Sequence, residues 1–408
     1  MKPTGRFILT VPLTTSPVGR AVAALVAFTV LAGCGEKRPA AKTPVAPGGT
    51  AESPALRWPM SRGGPQLQGR VAARVPLRPA VEWTFQVKGA ITSEAAAAEG
   101  VVVVGDDEGV IHAVDWQTRR ERWQVATGET VEATAAIADG RVFIGSDDGL
   151  FRALELADGK LAWQLKGEEK FPTGAAVVTR PEGGETRLLV NGYDGISHCL
   201  RALDGTLLWR HETEDFINGT PVVLAGGQVA FGGCDAVIHV LQLSDGSEVH
   251  SVKSDAQIIR SLAAWEDTVY GVNHANQLLA ATVTAEQPTW VYEADDTQFL
   301  TSPAVDEARV YVGARDRHLH AVDRLTGKLR WKFKTGGRVA SSPLVFEDAV
   351  VFGSSDGRLY AVAKDNGREL WRLDLGEALE NAPAFAGGRI VIGGGDGTLF
   401  VIRGGTEP

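Results

Sequence analysis

Apolar residues in this chain come in short runs, and the runs recur. In the clearest stretch they fall at Val339–Phe346, Ala349–Gly353, Arg358–Ala363 and Glu369–Leu373. Each run is five to eight residues long with partial alternation, and each is predicted to be a β-strand. Between them stand Glu347-Asp348, Ser355-Asp356-Gly357 and Asp365-Asn366-Gly367. Asp-Gly and Asn-Gly accept the positive φ that tight hairpins require, so the four strands form one antiparallel meander. With the glycine of the Asp-Gly turn as register mark, the unit recurs at Gly109, Gly149, Gly195, Ala236, Asn276, Arg317, Gly357 and Gly397. The steps are 40, 46, 41, 40, 41, 40 and 40 residues. Fourteen residues after the marks stand Trp123, Trp163, Trp209, His250, Trp290, Trp331 and Trp371. A four-stranded unit with a period of about 40 residues is a propeller blade.

Seven units are complete. The eighth runs from Ile390 to Ile402 and stops before its outer strand, because its tryptophan would fall beyond residue 408. Conversely, Trp83 lies 40 residues before Trp123 with no unit ahead of it. The two deficits match. The expected fold is all-β, an eight-bladed β-propeller of four-stranded antiparallel blades over residues 81–403. Its last blade is closed by the N-terminal strand, which removes the open edges of a broken ring. Trp83, Trp123, Trp163, Trp209, Trp290, Trp331 and Trp371 are read as blade-packing residues, each a large ring between one blade and the next. His250 alone breaks the series, so the outer packing of the fourth blade should be the weakest. The 46-residue step reflects an insertion at Pro181–Thr186, read as an exposed loop.

Ahead of the ring, residues 1–33 read as a signal peptide. Lys2, Arg6 and Arg20 precede an apolar run of twelve residues, Ala21–Ala32. That is shorter than the roughly 20 residues a spanning helix needs. Leu31-Ala32-Gly33-Cys34 resembles the bacterial lipoprotein box. The resemblance implies that Cys34 becomes a lipidated mature N-terminus, and several acyl chains anchor a protein stably. Gly35, in place of Asp, implies by resemblance to enterobacterial sorting the periplasmic side of the outer membrane. Residues 34–57 are rich in Pro, Ala, Gly and Thr and read as a flexible tether. Residues 58–80 open with Trp58-Pro59-Met60-Ser61-Arg62-Gly63-Gly64 and read as a segment that docks on the folded body.

The net charge of −9 argues against nucleic acid as a partner, which needs a basic face. Cys199 and Cys234 lie in neighbouring repeats and could pair in an oxidising compartment, or remain two thiols. Neither belongs to a metal or haem motif. His112, His198, His239 and His320 all stand three residues after a register mark, where Tyr360 and Phe400 stand in other blades. The position is read as wanting a flat ring between sheets, and no metal site is assigned. His318 and His320 share a strand but are two ligands short of a zinc site. One inner-strand position reads Thr173, Gly219, Arg260, Thr301, Ser341 and Asn381 in successive blades. Arg260 is the only charge among them. It is the candidate channel ligand, able to hold an anion or a quinone carboxylate, or else to pair with Glu94, Glu132 or Glu380. No catalytic residues are assigned.

The phrase Val312-Gly313 through Leu325-Thr326-Gly327-Lys328-Leu329-Arg330-Trp331 resembles the repeat of pyrroloquinoline-quinone (PQQ) proteins. The resemblance covers residues 81–403. Two branches of that group are similar to this chain. Quinoprotein dehydrogenases have eight blades and bind PQQ with calcium in the channel, but their disulfide of adjacent cysteines has no counterpart here. The BamB family combines a lipobox, a tether and eight such blades without a quinone. It serves the outer-membrane β-barrel assembly machinery. This second resemblance implies a non-enzymatic, lipid-anchored scaffold that binds other cell-envelope proteins and takes no cofactor. The alternative is a PQQ-dependent dehydrogenase or a small-ligand sensor.

Overall fold

The structure, a computed structural model, describes residues 57–179, 184–294 and 297–405. Cys34, the signal peptide and nearly all of the tether lie outside these residues, as do positions 181–183 of the insertion. Among the described residues the chain forms eight antiparallel sheets in ring order. The protein is an all-β, eight-bladed propeller. The first blade runs outward through Ala96–Ala98, Val101–Gly105, Val110–Asp115 and Glu121–Ala126. The last combines Ala384–Ala386, Arg389–Gly393 and Thr398–Arg403 with Ala80–Gln86 as its outer strand. There Trp83 pairs with Val401 and Phe85 with Leu399. The N-terminal strand therefore closes the ring. Arg389 reinforces the closure through an ion pair with Glu82 at 2.9 Å.

The second strands are almost wholly apolar, as Val101–Gly105 illustrates, because both faces of each sheet are covered by neighbouring blades. The buried core accordingly lies between successive blades rather than along the axis. Inner strands are shorter than their apolar pattern suggests. The run Val339–Phe346 yields a strand only at Leu344–Val345. Ahead of it, Pro343 lacks an amide hydrogen, and the Ser341 hydroxyl donates to the Asn381 carbonyl of the next blade at 2.7 Å. The backbone here lines the channel instead of extending the ladder.

The tryptophans do more than fill space. The indole Nε1 of Trp123 donates to the Leu156 carbonyl at 2.9 Å, in the next blade. Trp163 does the same to Ala202, Trp209 to Leu243, Trp290 to Arg324 and Trp331 to Lys364. His250 keeps the bond, its Nε2 lying 2.9 Å from the Ala285 carbonyl. The glycine of the following Thr-Gly-type turn completes the joint. A Cβ on Gly367 would sit 2.6 Å from the Trp331 ring, and Gly367 has φ +70°. Glycine is thus required twice over, by the left-handed turn and by the indole lying on it. A β-bulge just before the tryptophan, seen between Leu161 and Trp163, turns the ring toward its partner blade.

Two stability outcomes follow from this joint and from the hairpin turns. Trp331→Ala removes a buried ring and an inter-blade hydrogen bond, and should cost about 3–5 kcal/mol in urea unfolding. Arg317 occupies a register mark with φ +67°, a conformation that costs a non-glycine residue roughly 1–2 kcal/mol. Arg317→Gly should therefore raise the unfolding midpoint, with a gain of about 1 kcal/mol.

Candidate functional site

The inner strands present a free edge to the axis, and their backbone N–H groups need acceptors. The segment from Arg57 to Ala73 supplies them on the face formed by the first hairpin turns. Arg57–Trp58 adds a short strand beside Ala97 and Ala98 of blade one. Ile137 of blade two then donates to the Pro59 carbonyl at 2.7 Å, and Val223 of blade four to Pro65 at 2.7 Å. Ala264, Val305 and Val345 of blades five, six and seven donate to Gln66, Gln68 and Gly69 at 2.9, 3.0 and 2.7 Å. The segment thus passes round the ring and covers one end of the channel.

Its anchor is Glu94, buried on the approach to the inner strand of blade one. Glu94 accepts from Trp58 Nε1 at 2.8 Å, from the Arg62 backbone N–H at 3.0 Å and from Ser61 Oγ at 3.3 Å. Burial pushes the Glu94 carboxyl up, and the Arg62 charge with these donors pulls it back. Arg62 itself is buried, with φ +55°. Its guanidinium reaches across the floor to the carbonyls of Ser342 and Pro343 in blade seven. Gly69 lies against that guanidinium: a Cβ there would fall 2.0 Å from Nη2.

Above this floor is a polar cavity of about 230 Å³. Arg260 projects into it, and its Nε donates to the Leu300 carbonyl at 2.8 Å. Solvent reaches the side chain along the channel, yet protein walls surround it. Their desolvation lowers its pKa, against the field of Glu132. Of the three carboxylates the sequence offers it, Glu94 holds the floor segment and Glu380 pairs with Arg338 at 2.6 Å. Glu132 is left across the channel, outside ion-pair distance. Arg260 therefore makes no salt bridge among the described residues. At the rim of the open face, Tyr193 and Phe216 stack with centroids 4.5 Å apart and planes within 6°. Phe216 is 43% exposed, and Lys170 lies over the Tyr193 ring at 5.7 Å.

The repeated histidine position differs from the sequence reading. It does place rings between sheets, but in most blades it also supplies a donor to the turn carboxylate. Of the histidines, His198 is the exception, its Nδ1 buried without a partner among the described residues. His112 Nε2 lies 3.0 Å from Asp106, and His239 Nε2 lies 2.8 Å from Asp235. His320 bonds Asp316 at 3.1 Å, Tyr360 donates to Asp356 at 2.6 Å, and Arg152 pairs with Asp148. In blade five, where Leu279 fills the ring position, Gln277 meets Asn273 instead. Side chains as unlike as His, Tyr and Arg share a slot because each carries an N–H or O–H at the right reach. Burial lowers the His320 pKa, with Asp316 opposing. Cys199 and Cys234 are both thiols. Cys199 is buried between blades three and four, while Cys234 Sγ accepts from Asn218 Nδ2 at 3.0 Å near the channel.

The family described as the outer membrane protein assembly factor BamB matches residues 68–215, 193–302 and 289–406. The chain belongs to the BamB family. A crystal structure of BamB from Moraxella catarrhalis is similar, with TM-score 0.67 and 18% identity over 81% of this chain and 99% of that one. So is a quinohemoprotein alcohol dehydrogenase from Comamonas testosteroni, with TM-score 0.71 and 14% identity over 87% of this chain and 82% of that one. A europium-containing methanol dehydrogenase gives 0.70 and 11%, over 86% and 98%. At these identities the likeness is one of fold. No curated protein matches the chain in sequence. Within the BamB family frame, the floor segment and its Glu94 anchor are features that the residues of this chain define.

Glu94→Ala would leave the Trp58 indole and the Arg62 amide buried without their acceptor. Loss of about 3–5 kcal/mol is expected, together with new protease cleavage between residues 58 and 69. Intact resistance of that segment to protease would show that Glu94 is not its anchor.

Proposed function

We propose that the protein is a non-enzymatic scaffold of the cell envelope, anchored through Cys34 to the outer membrane and facing the periplasm. Its partners are other envelope proteins, in a BamB-like role with the β-barrel assembly machinery. The observation that carries this reading is the inequality of the two faces. One is taken up by the chain's own segment 57–73. The other keeps its turn loops exposed around a stacked, half-bare aromatic pair. Rigid loops on a propeller make a broad contact surface, and an exposed aromatic ring such as Phe216 is the kind of anchor that dominates protein interfaces.

The channel residues fit a quinone poorly. A planar poly-acidic cofactor calls for a ring to stack on and several cations, whereas the described residues lining the cavity include no aromatic side chain. Arg260 is the observation that favours the second reading, a PQQ-dependent dehydrogenase or small-anion sensor, since its terminal nitrogens face an open, polar space.

In cells, crosslinking from position 215, beside Phe216, followed by identification of the captured proteins should recover outer-membrane assembly components. Phe216→Ala should weaken that capture by about tenfold or more. Recovery of no envelope protein would overturn the scaffold reading. Cys34→Ser should release the protein from membranes, and continued retention would remove the lipid anchor. Mixing the purified protein with PQQ and Ca²⁺ should give no cofactor spectrum and no dye reduction with alcohols; a stoichiometric quinone complex would favour the dehydrogenase.

A further inference from the structure

The outer strand of blade three, Leu207–Glu212, carries a histidine where other blades do not. Two residues past the tryptophan slot the chain reads Phe85, Leu165, Tyr292 or Phe333, an apolar or aromatic side chain that packs inward. In blade three that residue is His211. Its ring lies 5.6 Å, centroid to centroid, from His239 on the third strand of blade four. Glu248, at the start of the outer strand of blade four, completes the group. Nitrogen and oxygen atoms of His211, His239 and Glu248 all lie within 4.8 Å of one another.

His239 is held as a metal-ligating imidazole is usually held. One ring nitrogen, Nε2, lies 2.8 Å from Asp235, whose side chain is only 5% exposed. The other, Nδ1, points at Glu248 from 2.7 Å. A carboxylate behind the imidazole fixes its orientation and raises its basicity toward a cation on the opposite nitrogen. Blade one supplies a built-in comparison. His112 sits between Asp106 and Glu121 at 3.0 and 2.7 Å in the same way, but Phe85 stands in the place of His211. Blade one thus has the oriented histidine and the carboxylate without the third ligand.

We propose that His211, His239 and Glu248 bind a divalent transition cation, Zn²⁺ in a four-coordinate site completed by water, and so clamp blade three to blade four. Two imidazoles and one carboxylate with an open fourth position are a donor set that zinc accepts at about 2.0–2.2 Å. The ligand atoms must draw together to reach those bond lengths. His211 is half-buried and Glu248 is exposed, so both have room to move while Asp235 keeps His239 fixed. The cation replaces the proton shared between His239 Nδ1 and Glu248, and that proton leaves to solvent.

Calorimetric titration of the full, chelator-stripped chain with Zn²⁺ tests the site, with Co²⁺ absorption as the second readout. One equivalent should bind, the visible bands should be those of four-coordinate Co²⁺, and the unfolding temperature should rise with added metal. His211→Phe installs the residue that blade one uses, and should weaken binding about a hundredfold while leaving metal-free stability intact. Asp235→Asn should weaken it about 10–100-fold, and His112→Ala should leave the zinc affinity unchanged. Glu248→Gln serves if the phenylalanine variant fails to fold. No saturable binding by the unaltered chain, or equal binding by His211→Phe or by Glu248→Gln, would overturn the proposal.

Discussion

The ring stands on one joint, repeated between blades: an indole laid on a glycine, with its N–H given to a carbonyl of the same turn. A propeller blade cannot bury both of its faces alone, so its stability comes from its neighbours. The joint fixes how closely neighbours approach, because Gly159 and Gly205 let Trp123 and Trp163 come within 2.8 and 2.7 Å of where a Cβ would be. It also gives the buried indole an acceptor, without which its N–H would carry a desolvation cost. His250 shows that the hydrogen bond persists when the large ring is lost. Position and donor are kept where volume is not.

Once the ring is closed, the inner strands pose a second constraint. Their edges face the axis with backbone donors that no blade can satisfy. The segment 57–73 meets this need by passing carbonyl groups to blade after blade, with its direction fixed by Glu94 and Arg62. The outcome is an asymmetric disc. One face is finished by the chain's own backbone, and the other retains the loops that can meet a partner. Arg260 stays solvated in the remaining channel, since Glu94 holds the floor, Glu380 pairs with Arg338 and Glu132 lies outside ion-pair distance.

Much of this was legible beforehand, for a physical reason. Period, turn chemistry and tryptophan spacing repeat in register, so an error at one blade is corrected by the others. The matching deficits at Trp83 and at the C-terminus disclosed the closure. What stayed hidden has no copy elsewhere in the chain. Glu94 could be offered as a partner for Arg260, but its bonds to Trp58 and Arg62 link a single segment to a single blade. The Arg62 contact with Pro343 spans 281 residues, beyond any local pattern. The donor role of the histidine slot was obscured by attention to ring shape; the Asp that stands just before the register mark in most blades was the available signal. His211 was visible only as an exception, two residues after a tryptophan, in a column otherwise filled by apolar and aromatic side chains.

The closing blade shows how far the joint depends on its turn. Blade eight takes its outer strand from residues 80–86 rather than from a hairpin, so it has no turn to offer the tryptophan before it. Trp371 Nε1 accordingly has no hydrogen-bond partner. On the other side of the same blade, Trp83 meets blade one, where Arg119 with φ +60° replaces the glycine and Trp116 packs edge-on at 5.7 Å. The ring is thus joined by different chemistry at the two borders of its last blade. A shared apolar cluster across blades seven, eight and one supplies there what the repeated hydrogen bond supplies elsewhere. Closing the circle with residues 80–86 gives up one polar joint and makes the two ends of the repeat array part of a single sheet, so that blade eight cannot form until the whole array has been laid down.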